Sequence, residues 1–126
     1  MRNDNYKAWT YTAFCIFRLR GGSTIRIGMD IGSTTIKCVV LDENDQIIYS
    51  AYERHYSHIL EKTRELLTSL NDTYLKGKKA YFAISGSAGM GLADSCGVSF
   101  VQEVFADRVA ANRLNPGTDC IIELGG

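Results

Sequence analysis

The sequence predicts a mixed α/β domain in which three antiparallel strands are extended by parallel strands and flanked by helices. Three observations carry that prediction. Apolar residues alternate in short runs from Ile25 to about Arg54, with turn residues between the runs. Beyond Ser57 the apolar spacing becomes helical, and the later apolar runs are short and separated by helical patterns. Strands joined by short turns pair antiparallel, whereas strands reached through a helix pair parallel.

The first strand follows from Ile25, Ile27, Met29 and Ile31 alternating with Arg26, Gly28 and Asp30, the period of a half-buried strand. Gly32-Ser33-Thr34 supplies a turn, and residues 35–42 form the second strand, where Ile36, Cys38 and Val40 alternate with Thr35, Lys37 and Val39. The polar cluster Asp42-Glu43-Asn44-Asp45 makes the next turn, and a third strand runs over residues 46–54. Ile59, Leu60, Thr63, Leu66, Leu67 and Leu70 then recur at helical spacing, with Ser57 as N-cap and Glu61, Lys62, Arg64 and Glu65 on the wet face. Residues 80–84 read as a short buried strand ending at the small-residue loop Ser85-Gly86-Ser87-Ala88-Gly89. A short helix over residues 90–95 and a strand over 98–100 follow. Val101, Val104, Phe105, Val109 and Leu114 mark a further helix stopped by Pro116-Gly117, before a last strand over residues 120–124. This element order is that of a ribonuclease-H-like, or actin-like, domain.

Composition bounds the function. With 126 residues, 45% hydrophobic and 22% charged, the chain has the apolar content of one soluble domain or part of one. Fourteen Lys and Arg balance fourteen Asp and Glu, so no overall field draws the chain to nucleic acid or to an anionic membrane. No apolar run approaches the roughly 18 residues that span a bilayer. Residues 1–24 are expected to be a poorly ordered extension, a translated leader or misplaced start ending at Gly21-Gly22; the aromatic and basic residues there also allow a membrane-surface anchor. Cys15, Cys38, Cys96 and Cys120 lack the spacing of a zinc knuckle; Cys38 and Cys120, inside apolar runs, read as reduced core cysteines of a cytoplasmic protein.

The segment GMDIGSTTIK, residues 28–37, carries the chemistry. A carboxylate, Asp30, ends a buried strand and is followed by small and hydroxylated residues across a tight turn. Gly28 and Gly32 allow close approach of a phosphate; Ser33, Thr34 and Thr35 offer hydroxyls beside main-chain N–H groups. Asp30 can hold hydrated magnesium, and Lys37 adds positive charge. The bland alternative is a hairpin turn capped by Asp30, which has no need of so many hydroxylated residues. The ending IIELGG repeats the logic, with Glu123 on a strand and Gly125-Gly126 where a second phosphate turn begins. Ser85 to Gly89 is a third small-residue loop, a nucleotide-facing segment or a simple passage from strand to helix; His55 and His58 bracket a helix start and read as surface residues.

Together GMDIGSTTIK, FVQEV at residues 100–104 and TDCIIELGG resemble the BadF/BadG/BcrA/BcrD ATPase family, activators of 2-hydroxyacyl-CoA dehydratases and benzoyl-CoA reductases. The likeness spans residues 25–126 and is closest to the N-terminal region of the long, multidomain members, in which a segment similar to FAISGSAGMGLAD precedes FVQEV. The resemblance implies an N-terminal ATPase subdomain, residues 25–126, truncated at the second phosphate motif. It implies ATP and Mg2+ as cofactors, with Asp30 holding magnesium through water and Gly32, Ser33, Thr34, Thr35 and Lys37 facing phosphate. By its position alone Glu103 reads as a solvated first-turn acid favoured by the helix dipole; the resemblance instead makes it similar to the acid that positions magnesium or the attacking water, with Asp30 and Glu103 the implied catalytic pair. Glu123, Gly125 and Gly126 resemble the start of the second phosphate motif.

The same resemblance implies a dehydratase or reductase partner and a homodimer for a full-length member. Smaller activators have a histidine about four residues beyond the equivalent of Glu103, where this chain has Asp107. Family members hold a [4Fe-4S] cluster on cysteines downstream of the second phosphate motif, and Cys15, Cys38, Cys96 and Cys120 match none of them. Competing expectations are a sugar kinase or chaperone-type ATPase of the same superfamily, or a truncated product without chemistry of its own. A nuclease of this fold would need further carboxylates beside Asp30, where Ser85-Gly86 stands instead.

Overall fold

The computed structural model describes residues 25–122; the extension expected over residues 1–24 and the motif residues Glu123, Gly125 and Gly126 lie outside them. Strands β1 (Ile25–Ile31), β2 (Thr35–Leu41) and β3 (Ile47–Arg54) form the expected antiparallel meander. Strand β4 (Ala80–Ser85) returns through helix α1 (Ile59–Leu70) to pair parallel with β1, and β5 (Ser99–Phe100) pairs parallel with β4. The sheet order is β3-β2-β1-β4-β5, the ribonuclease-H-like arrangement.

Position in that order explains the burial of each strand. Pairs Ile27–Val40, Met29–Cys38 and Ile31–Ile36 stack on one face, where Leu70 of α1 and Ala93 of α2 (Met90–Cys96) join them to form the main core. The alternation in β1 predicts a half-buried strand; residues 27–31 are instead buried on both faces, because β1 is central and its opposite face is covered as well. Val39, Leu41 and Ala83 are buried on that opposite face, beside Gly28 and Asp30. The edge strand β3 is largely exposed, and a register shift between Val40 and Leu41 sets one extra residue on it.

Four local expectations change. Ser57 does not cap α1: it sits at a φ of 66°, and His58 occupies the cap position without a side-chain hydrogen bond. Helix α1 runs on into a π-helical turn, Asn71–Leu75, which keeps Tyr74 and Leu75 against the core; the Tyr74 ring lies 5.9 Å from that of Tyr49. Helix α3 (Glu103–Leu114) buries Ala106 and Ala110, four residues apart, and exposes Val104 and Phe105, because only small side chains fit on its inward stripe. The strand expected over residues 120–124 is not seen in its described part: residues 120–122 pair with no strand, and Ile121 and Ile122 are exposed. Among the described residues the sheet ends on that side at β5, whose two residues offer almost no ladder to join.

Candidate functional site

Because β1, β4 and β5 are parallel, their carboxyl ends open on one edge of the sheet, and each is followed there by a loop. Asp30 sits on that edge next to the last residue of β1, its register fixed between Lys37 on β2 and Ser85 on β4. Its carboxylate is only 5% exposed. Lys37 Nζ lies 3.3 Å from Asp30 Oδ2, and the Ser85 hydroxyl donates a long hydrogen bond of 3.4 Å to Oδ1. A buried carboxylate needs such partners, and Lys37 compensates Asp30. The Lys37 ammonium also lies 5.5 Å from the centre of the Tyr52 ring.

The turn after β1 is held from two sides. Gly32 N–H donates to the Thr35 carbonyl at 2.9 Å, which closes the loop with Ser33 and Thr34 exposed at its tip and Thr35 buried at its foot. From the end of β3, His55 N–H donates to the Thr34 carbonyl at 3.1 Å, and His55 Nε2 lies 3.0 Å from the Gly32 carbonyl oxygen. His55 is therefore not the surface residue expected from sequence: it is 2% exposed. The pairing of Thr35 with Arg54 delivers it there, since the residue after Arg54 must pass beside the turn that precedes Thr35. No local sequence signal carries that; only the register of β2 against β3 does.

The loop after β4 packs directly onto the same carboxylate. Gly86 adopts a φ of 95°, and a Cβ on it would lie 2.3 Å from the Ile31 carbonyl oxygen and 2.6 Å from Asp30 Oδ1. Ala88 N–H then donates to the Ile31 carbonyl at 2.9 Å. At Gly89 a Cβ would come within 2.5 Å of the Ser85 carbonyl oxygen and of Ile84. Of the two readings of Ser85 to Gly89, strand-to-helix passage and site loop, the geometry serves both: the loop opens α2 and walls Asp30. Glu103, half-buried, opens α3 on the same edge just beyond β5, with Asp107 one turn further along. Glu123, Gly125 and Gly126 lie outside the described residues.

Chemically the edge offers oxygen donors: the Asp30 carboxylate, the hydroxyls of Ser33, Thr34, Thr35 and Ser85, and the Glu103 carboxylate where α3 opens. Hard donors of this kind suit magnesium rather than a soft metal. Among the described residues no group of three or more His, Cys, Asp and Glu stands ready to hold a metal. The described cysteines are free and belong to separate parts of the fold: Cys38 is buried in β2, Cys96 is exposed, and Cys120, expected in the core, is exposed because residues 120–122 join no strand. Burial pushes the Cys38 thiol up to about 12, so it is an inert core residue. Among the described residues no helix is long and apolar enough to cross a membrane.

No protein-family model matches the chain, and no curated protein matches it. Among solved structures, component A of the (R)-2-hydroxyglutaryl-CoA dehydratase of Acidaminococcus fermentans is similar, with a TM-score of 0.61 and 20% identity. The match covers 76% of this chain and 37% of that one, so the chain spans little more than a third of its neighbour. At this identity the likeness establishes the fold: a mixed five-stranded sheet flanked by helices, in an actin-like arrangement.

Proposed function

We propose that the chain is the phosphate-binding half of a magnesium-dependent ATPase, of the type that activates 2-hydroxyacyl-CoA dehydratases. The observation that carries this reading is the buried Asp30 carboxylate, set at the carboxyl edge of β1 between two small-residue loops, residues 32–35 and 86–89. Main-chain N–H groups and hydroxyls of the first loop would take the phosphates, and Asp30 would accept hydrogen bonds from the water shell of the cation. Bound magnesium would offset charge on the phosphates. The residues fit that role, because the Asp30 carboxylate set among hydroxyls suits an ion held mainly by water and nucleotide.

Lys37 pairs with Asp30 and would lend positive charge to the loop. Glu103, on the same edge, would orient the attacking water, and Glu123, Gly125 and Gly126 would open the loop that faces the phosphates from the other side. Hydrolysis between two such halves would drive electron transfer to a dehydratase or reductase partner. The [4Fe-4S] cluster and the homodimer interface of such an activator would reside on a longer chain than these residues. Component A, the similar solved structure, is part of such a dehydratase by name, which supports this class over a sugar kinase or chaperone of the same fold.

Titration of the chain with MgATP, followed through the backbone amides of residues 32–35 and 86–89 by NMR, tests the reading. Those amides should shift on the scale of millimolar nucleotide, and Asp30→Ala should abolish the magnesium dependence. A silent loop at about 10 mM MgATP, or a response that Asp30→Ala leaves intact, refutes it.

A further inference from the structure

The buried His55 has a defined set of hydrogen bonds. Ser57 N–H donates to His55 Nδ1 at 3.0 Å, so Nδ1 carries the lone pair and the ring proton sits on Nε2. That proton is then donated to the Gly32 carbonyl oxygen, 3.0 Å away. The chain spends strained backbone to reach this arrangement, since Tyr56 and Ser57 both adopt left-handed φ values of 48° and 66° without being glycine. His58 N–H closes the same tight turn by donating to the His55 carbonyl at 2.7 Å.

In a trans peptide the carbonyl and the following N–H point in opposite directions. A Gly32 carbonyl held against the imidazole therefore turns the Ser33 N–H away from His55, at the exposed tip of the loop. The opposite orientation of the same peptide would exchange these groups and present a carbonyl oxygen at the tip, which repels an anion. Glycine at position 32 is the residue least able to prevent that flip by itself. We propose that His55 is a positioning residue for the phosphate loop, fixing the Gly32–Ser33 peptide so that the Ser33 N–H is presented to a bound phosphate. This deepens the nucleotide reading above and rests on it.

The test uses the full chain, labelled with 15N, as wild type, His55→Gln and His55→Ala, with MgATP as the probe. Imidazole 15N shifts of the wild type should report the Nε2–H tautomer, and the Ser33 amide should move on addition of MgATP. His55→Ala should weaken MgATP binding about tenfold or more, as loss of a hydrogen bond that orients a charged contact predicts. His55→Gln, whose side-chain amide can donate to the same carbonyl, should stay within about threefold of wild type. Should His55→Ala fail to fold, the tautomer and the glutamine variant still decide. An Nδ1–H tautomer, a folded His55→Ala with wild-type affinity, or a folded His55→Gln as weak as the loss of the hydrogen bond predicts, overturns the assignment. A wild-type Ser33 amide that ignores MgATP removes the nucleotide reading itself, whereas a wild-type response shared equally by both variants removes only the role of His55.

Discussion

A methyl group added at Gly86 would meet the Ile31 carbonyl oxygen at 2.3 Å while the backbone there keeps a φ of 95°, so neither the side chain nor the main chain has room to adapt. Gly86→Ala is expected to destabilise the fold by ~2–4 kcal/mol, read as a lowered denaturant midpoint. Gly91 is the contrast: it lies in α2 with open space around it, and Gly91→Ala should stabilise by ~0.5–1 kcal/mol. Equal midpoints for the two variants would show that the loop does not pack on Asp30 as described. Cys38 provides a pH dependence at the same scale. Burial raises its thiol from 9.0 to about 12, so the folded state keeps a proton that the unfolded chain releases above pH 9. Stability from this source is complete below that pH and declines as pH rises towards 12, by at most ~1.4 kcal/mol per pH unit. Tyr49 acts in the same direction, raised by burial first and then by Cys38, Glu53 and Tyr74. Midpoints measured upward from about pH 8 should therefore fall in the alkaline range, and alkylation of the native protein should mark Cys96 and Cys120 while sparing Cys38.

Within the elements, helix α1 carries a correctable flaw. The Thr63 hydroxyl is buried at the sheet-facing side of the helix with no hydrogen-bond partner, and Thr63→Val replaces it with a methyl of nearly equal volume. Removing an unsatisfied buried hydroxyl should raise stability by ~0.5–1.5 kcal/mol, and a lower melting temperature in Thr63→Val would mean that the hydroxyl is satisfied in solution. The sequence shows α1 clearly because its apolar residues repeat over three turns, and it shows the meander because turn residues punctuate a period of two. Asp30 and its turn are legible for the same reason: their spacing is local. What local patterns cannot carry is sheet position and register. The same alternation describes a half-buried strand and a central one, so β1 looks less enclosed in sequence than it is. Helix α3 misleads because valine and phenylalanine outweigh Ala106 and Ala110 in an apolar pattern, although only the alanines fit inward. His55 reaches the turn after β1 through the pairing of β2 with β3, which ends at Thr35 and Arg54 and sets up a contact across 23 positions of the chain, from His55 to Gly32.

For the molecule as a whole, the described residues provide one sheet and therefore one wall of the proposed nucleotide site. Ser33 and Thr34 stand exposed at the tip of the loop, and Asp30 lies at the carboxyl edge of a single sheet. A phosphate met by one wall remains in contact with water on its other side, so each N–H and charge acts through a high dielectric and is screened by salt. Small-molecule sites of high affinity enclose most of the ligand surface, and an open edge does not. The chain on its own should thus bind MgATP with a dissociation constant weaker than about 1 μM, corresponding to roughly −8 kcal/mol, and turn it over at a negligible rate. Isothermal titration settles the matter: a sub-micromolar constant for the isolated chain would mean that these residues close around the nucleotide by themselves, or pair with a second copy to do so. Weak binding, by contrast, fits a single sheet edge whose phosphate contacts stay open to water.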